Sequence, residues 1–313
     1  MLALTARNGY SPSMLSFSIT ESDHCRQLES WLHTVLPTAP AAYLRKLQTR
    51  GHLLVNDQPA TATTLLVSGD HIAMKESART RELLASTRPL LDILYEDERV
   101  IVANKPPELP VHRTGEDEPT LLAVAERFLE LRGTPCRLRP VNRLDRGTSG
   151  AIILAKSSLA AGMFGRLVKE VGLGKLYLAI VPGQLPDAGI ITSPLAGKEA
   201  VTHFRCLFQG ATEAFLALVP LTGRTHQLRR HLQQLGHPII GDRRYGGPTL
   251  PDNQGHLLHA FLLTLRHPEN ERELGITAPL PPGFLSTLKT LAGPSSGELL
   301  AALPHLSLAD ISR

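Results

Sequence analysis

A chain of 313 residues, 42% apolar and 20% charged, with mean hydropathy near zero, has room for one sizeable domain and a smaller one and the composition of an ordinary globular protein. No apolar run approaches the roughly 18 residues of a membrane helix, and the opening MLALTARNGYSPSM lacks the unbroken apolar core of a secretory signal, so a cytoplasmic protein is expected. The net charge of +4 singles out no partner.

Residues 1–14 read as a loose tail, and 15–75 as a small α/β module. CRQLESWLHTVLP places Leu28, Trp31, Leu32 and Leu36 at helical spacing, and AAYLRKLQTRG predicts a second helix capped by Gly51. HLLVNDQPA and DHIAMK are strand-like, with Asn56 and Asp57 as a turn pair. Arg45, Lys46 and Arg50 fall on the second helix. The polar ESARTRELLASTRP, 76–89, has no strand period and reads as a linker.

The texture then changes to strands. ILY and VIVAN flank an acidic turn, and Pro106-Pro107 stops the second strand. TLLAVAERFLELRG, 120–133, predicts a helix closed by Gly133. AIILA (151–155) and LYLAIV (176–181) are short continuous apolar runs, the pattern of strands buried on both faces. HFRCLFQ (203–209) alternates, and AFLALV (214–219) predicts another core strand. LTGRTHQLRRHLQQLGHP (221–238) carries the clearest helical pattern: Leu228, Leu232 and Leu235 form one stripe, and Gln227, Arg230 and Gln234 another face. Residues 291–313 read as a C-terminal tail. The expected class is α+β, with the larger strand-rich domain over 90–290.

Cys25, Cys136 and Cys206 are far apart and form no C-x-x-C pair, so neither a disulfide framework nor a metal knuckle is expected. His256 and His259 in HLLH have helical i,i+3 spacing, but no Glu or Cys completes a zinc set, and no metal is expected there. Charge is unevenly placed. Residues 137–146 hold four arginines against Asp145, and 223–246 hold Arg224, Arg229, Arg230, Arg243 and Arg244 against Asp242. Clustered arginine suits planar recognition of phosphates and bases; a solvated basic face is the plainer alternative.

An aspartate with an ordinary pKa of about 3.9 needs no arginine to ionise. Arginines around Asp145 in RPVNRLDRGTSG therefore point to a carboxylate that stays charged and oriented while a substrate covers it; an ordinary ion pair at a turn is the alternative. Taken together, NRLDRGTSG and GRTHQLRRHLQQLGHPIIGDRRYG resemble the two signatures of the RluA-type pseudouridine synthases, H-R-L-D-x-x-T-S-G and G-R-T-H-Q-[LI]-R-x-H with L-G-H-P-[IL]-x-G-D and Y-G. ILYEDERVIVANKPPELPVH and KLYLAIVPG resemble the family's opening strands and its K-x-Y segment, and the likeness runs in order over about 88–285. Residues 15–75 are similar to the S4 RNA-binding domain that many members carry.

The resemblance implies a catalytic domain with a mixed, largely antiparallel central sheet flanked by helices, and isomerisation of uridine in rRNA or tRNA without a cofactor or metal. It assigns the essential carboxylate to Asp145, its partner arginine to Arg229 in preference to Arg224, and stacking on the target base to Tyr177. Arg143 either fills the gap left by a flipped base or contacts phosphate. Arg146, Arg224, Gln227, Arg45, Lys46 and Arg50 are expected RNA contacts, and a monomer is expected. Two positions depart from the family pattern. Asn142 stands for histidine, and Glu108 for a glycine, where a positive φ would strain it. An idle RNA-binding protein on the same fold is the alternative function, which the presence of Asp145, Arg229 and Tyr177 argues against. A metal-dependent nuclease would need clustered carboxylates.

Overall fold

Alternating apolar residues open the fold: β1 (Met14–Ser18) buries Leu15 and Phe17 and exposes Ser18. The computed structural model describes residues 14–37, 39–84, 91–113, 118–250 and 255–312, so the tail expected over 1–14 falls almost wholly outside the described residues. After β1 come α1 (Leu28–Val35), α2 (Ala41–Thr49), β2 (Leu53–Val55), β3 (Gln58–Pro59) and β4 (His71–Lys75). The strands pair in the order β1-β4-β2-β3, all antiparallel. Asn56 and Asp57 both have positive φ, 50° and 62°, the backbone of a type I′ hairpin that matches strand twist. The α1 stripe is intact, with Leu28, Trp31, Leu32 and Leu36 buried, and Trp31 meets Phe17 edge-on at 5.2 Å.

The stretch expected as a linker departs from that reading. It begins with α3 (Ala78–Leu84), whose Leu83 enters the core of the N-terminal module. Ser77 accepts a hydrogen bond from the Thr80 N–H at 3.0 Å, an N-cap that a search for strand periodicity overlooks. Residues 85–90 lie outside the described residues.

The larger unit contains β5 (Ile93–Glu96), β6 (Val100–Lys105), α4 (Leu121–Leu131), β7 (Arg139–Pro140), β8 (Ser149–Ala155), α5 (Ser158–Glu170), β9 (Gly174–Pro182) and β10 (Ala188–Ile191). It continues through β11 (Thr202–Gln209), β12 (Glu213–Pro220), α6 (Gln227–Gln234), β13 (Leu258–Arg266), β14 (Glu273–Thr277), α7 (Pro282–Ala292), α8 (Ser296–Ala302) and α9 (Leu308–Ile311). Ten strands form one sheet with the main path β10-β11-β12-β9-β13-β8-β6-β5. Every pairing is antiparallel except β13 with β8. All seven residues of β8 are buried. Ile152 and Leu154 enter the core on one face, and Ala151, Ile153 and Ala155 the core on the other, which holds Phe164 of α5. Burial on both faces is what makes the run continuously apolar.

Two further expectations change. The HLLH segment runs into β13 and is not helical. Residues 291–313, expected as a tail, carry α8 and α9, and Leu300, Leu303 and Ile311 join the main core. Their elements are one or two turns long, too short to show a helical period. The helix α5 was not anticipated: Gly162 and Gly165 dilute it, and it buries only Ala160 and Phe164.

The N-terminal module packs directly on the larger unit. Arg26 is buried and grips Asp92 through both terminal nitrogens. Gln27 Nε2 donates to the Gly275 carbonyl at 2.6 Å, and Thr277 Oγ1 to the Cys25 carbonyl at 2.7 Å. Among the described residues no helix is long and apolar enough to cross a membrane.

Candidate active site

The turn between β7 and β8 carries Asp145, and four separate anchors fix that turn. Asn142 Oδ1 accepts from the Ile153 N–H at 2.8 Å, so the residue at the family's histidine position ties the turn to β8. Lys105, fully buried at the end of β6, donates from Nζ to the carbonyls of Pro106, Leu109 and Arg146 at 2.8–2.9 Å. Burial lowers its pKa to about 7, against the pull of the Glu108 and Asp145 charges. His256 Nε2 bonds Thr148 Oγ1 at 2.8 Å, and His259 Nδ1 bonds Ser149 Oγ at 2.9 Å. Burial brings both imidazoles down to about 4, so they are neutral props at physiological pH. The HLLH histidines thus serve the turn.

Gly150 explains the tightness of the last anchor. It has φ +107°, and a Cβ there would stand 2.3 Å from the Ala260 carbonyl oxygen. Only glycine lets β8 approach β13 at this parallel contact.

Arg229, on α6, closes the site from the other side. Its Nη1 donates to Asp145 Oδ2 at 2.8 Å, while Nε and Nη2 grip both oxygens of Asp242 at 2.6 and 2.8 Å. Asp242 is 1% exposed. Burial disfavours both charges, but the hydrogen bonds between them prevail, raising the arginine pKa and lowering that of Asp242. The Tyr245 ring lies under the guanidinium at 5.0 Å, and its hydroxyl bonds His226 Nδ1 at 2.9 Å. His226 Nε2 stands 3.7 Å from Asp145 Oδ1. Burial lowers the His226 pKa despite that carboxylate. His226 itself has φ 53° at the start of α6, an unusual conformation for a residue with a side chain.

Asp145 lies between two cavities. One, of about 720 Å³, is lined by Arg143, Arg146, His226, Arg243 and Arg244 among others. The second, of about 290 Å³, has Tyr177 in its wall with Arg143, Thr222 and Leu258. Tyr177 sits in β9 between Leu218 of β12 and Ala260 of β13. Burial, reinforced by Asp145, pushes its phenol pKa up, away from service as a base.

The expected site residues divide accordingly. Asp145, Arg229 and Tyr177 line the smaller cavity together, and Arg143 is exposed and lines both cavities. Of the two candidate arginines, Arg229 bonds Asp145, whereas Arg224 Nε donates to the Glu199 carbonyl at 2.8 Å. Gln227 differs from its expected place as an RNA contact. It is buried, its oxygen accepts from Thr222 Oγ1 and the Arg224 N–H, and its amide nitrogen donates to the Val201 carbonyl and Thr202 Oγ1. It staples the loop before α6. Arg45 and Lys46 on α2, and Arg50 just past its end, are exposed and line neither cavity. Arg146 is paired with Glu118 at 2.6 Å and Glu108 at 3.4 Å. Glu108 has φ +65°, a conformation that costs a side-chain-bearing residue roughly 1–2 kcal/mol. Sequence reasoning gave no role to Asp242, Tyr245, His226 or Lys105. All four are letters of the quoted motifs, but their spacing cannot say that they converge.

Known proteins match this architecture. The sequence pattern described as "RNA pseudouridylate synthase" covers residues 99–234. An uncharacterised RNA pseudouridine synthase of Bacillus subtilis is 32% identical over 287 residues, 85% of this chain and 94% of that protein. Ribosomal large subunit pseudouridine synthase D of Neisseria meningitidis is 31% identical over 299 residues, 85% of this chain and 80% of that one. The solved structure of human RNA pseudouridylate synthase domain containing 4 superposes with a TM-score of 0.53 at 27% identity, over 64% of this chain and 92% of its own. With sequence likeness extending through both the Asp145 turn and the Arg229 helix, the chain belongs to the RluA-type RNA pseudouridine synthases, enzymes that isomerise uridine within RNA.

Proposed function

We propose that Asp145 is the carboxylate that opens the glycosidic bond of the target uridine. The observation that carries this reading is its placement: one oxygen is held by Arg229, and the carboxylate faces cavities on two sides. Asp145 either attacks C1′ or takes the 2′ proton, and the N1–C1′ bond breaks with its electron pair on the base. The detached uracil turns and C5 bonds to C1′, displacing the carboxylate in the first route or followed by return of the proton from Asp145 to C2′ in the second; the C5 proton then leaves to solvent and N1 takes one up. Tyr177 supplies a flat wall for the base, and its raised pKa favours stacking over proton removal. The smaller cavity keeps the base from escaping during the turn.

The target is a uridine in structured RNA that leaves its stack to reach Asp145, at a cost of a few kcal/mol. Arg143, at the mouth of both cavities, fills the vacated space or holds the neighbouring phosphate. Arg224, Arg146 and the exposed Arg45, Lys46 and Arg50 extend the phosphate contacts. Ribosomal RNA is the class we assign, by likeness to the large-subunit synthases, and the cytoplasm is where the enzyme meets it.

The test is tritium release from [5-³H]uridine-labelled RNA taken from cells lacking this protein, with native protein and Asp145→Ala compared. Native protein is expected to release tritium and Asp145→Ala to release none. RNA bound by native protein without release, or release undiminished by the substitution, would refute the assignment.

A further inference from the structure

We propose that Arg146 is a phosphate site held in reserve by Glu108 and Glu118, so that RNA settles beside Asp145 only where one of its phosphates displaces the two carboxylates. This rests on the RNA reading above. In the larger cavity Asp145 and Asp242 both spend their charge on Arg229. Glu108 is the remaining carboxylate among the lining residues, facing a wall that also holds Arg143, Arg146, Arg243 and Arg244. A wall built only to attract RNA has no use for it.

The placement of Glu108 is built. Its Oε1 lies 3.2 Å and 3.1 Å from the points where a Cβ on Gly147 or Gly255 would stand, so the two glycines leave room for it in a slot shared with the His256 ring, whose Nδ1 would be nearer still to a Gly147 Cβ, at 2.6 Å. The backbone accepts a positive φ to put it there. Arg146 Nη1 meets Glu118 at 2.6 Å and its Nε meets Glu108 at 3.4 Å. The Glu108 pair is the weaker one and exchanges first: the Arg146 and Glu108 side chains are 55% and 47% exposed, against 21% for Glu118, and exposed pairs are screened and contribute little. A phosphate can take the guanidinium bidentately, a stronger bond than either carboxylate makes here. RNA that presents a phosphate at this point completes the exchange, and RNA that does not meets the intact cluster of two carboxylates on one guanidinium, with one negative charge in excess.

The competing account is that Glu108 serves only the buried Lys105 ammonium nearby, whose charge it favours. The two accounts separate in one experiment. Affinity for a short fluorescent oligouridylate is measured against salt for the wild type, Glu108→Gln, Arg146→Ala and the double variant, with a thermal unfolding scan of each. We expect Glu108→Gln to bind roughly two- to five-fold tighter, the scale of one exposed ion pair. Its log K against log salt should steepen by up to roughly 0.7, because a released carboxylate no longer takes up a cation. Both changes should vanish in the Arg146→Ala background. Unchanged or weaker binding by Glu108→Gln overturns the proposal, whether or not its melting temperature falls. Equal tightening with and without Arg146 overturns it too, reducing Glu108 to a general repulsive charge. Wild-type protein that binds no RNA would sink the functional reading as well, which separates the two failures.

Discussion

Asp242 gives both of its oxygens to Arg229, and through that side chain it should control the reaction. Substituting it with alanine removes the acceptor of two charge-assisted hydrogen bonds, at 2.6 and 2.8 Å, from a side chain that is 1% exposed. Breaking a buried pair costs about 3–5 kcal/mol because the surviving charge is left uncompensated. Arg229 keeps Asp145 as a partner, so we expect the low end, about 3 kcal/mol, from urea denaturation. Freed of its second anchor, the guanidinium follows Asp145 instead of fixing it, and a displacement near 1 Å at a reacting group costs about 10²-fold in rate. Single-turnover tritium release at saturating enzyme should fall by that order. The pH dependence supplies a second check. Arg229 holds the folded-state pKa of Asp242 below its ordinary value of 3.8, so this pair stabilises the fold above that value and the contribution is lost as pH falls through the lower, folded value. Asp242→Asn should lack that acid-limb loss. A variant that loses stability while its bound-RNA rate stays within two-fold of wild type would refute the positioning role and leave Asp242 purely structural.

Two further outcomes follow from the same geometry. Gly150→Ala must push the Ala260 carbonyl away from a Cβ at 2.3 Å while holding φ +107°; the expected loss exceeds about 4 kcal/mol, the range reserved for such backbone conflicts, and a loss under about 1 kcal/mol in urea denaturation would contradict it. His33, His256 and His259 are each lowered by burial from 6.5 to about 4, so the unfolded chain binds more protons between those values and stability falls as pH drops through that window. Each histidine contributes at most about 1.4 kcal/mol per pH unit there, and a urea midpoint that stays flat across the window would count against neutral buried imidazoles.

The α1 stripe, the Asn56-Asp57 turn and the buried strands β8, β9 and β12 were all readable from residue order, because each is decided within a few residues by periodicity or by a required backbone conformation. The motifs also singled out Asp145, Arg229 and Tyr177, three residues that line one cavity. The C-terminal elements and α3 were not readable. Their few apolar residues, Leu83, Leu300 and Ile311, find their core only in three dimensions, and a short helix shows too little period to be recognised beforehand.

What the amino-acid order could not decide is how distant motifs meet. Gln227 and Arg229 stand two residues apart on α6, yet one is spent inward on the Thr222 loop while the other bridges Asp145 and Asp242. His256 and His259 share the spacing of a possible ligand pair, yet they brace Thr148 and Ser149 because β13 lies parallel to β8. Local chemistry is written along the chain, since propensity and turn geometry act between neighbours. The Asp145–Arg229–Asp242 bridge and the Glu108–Arg146 pair depend on contacts between residues 13 to 84 positions apart, and only the packed fold brings those charges within bonding distance.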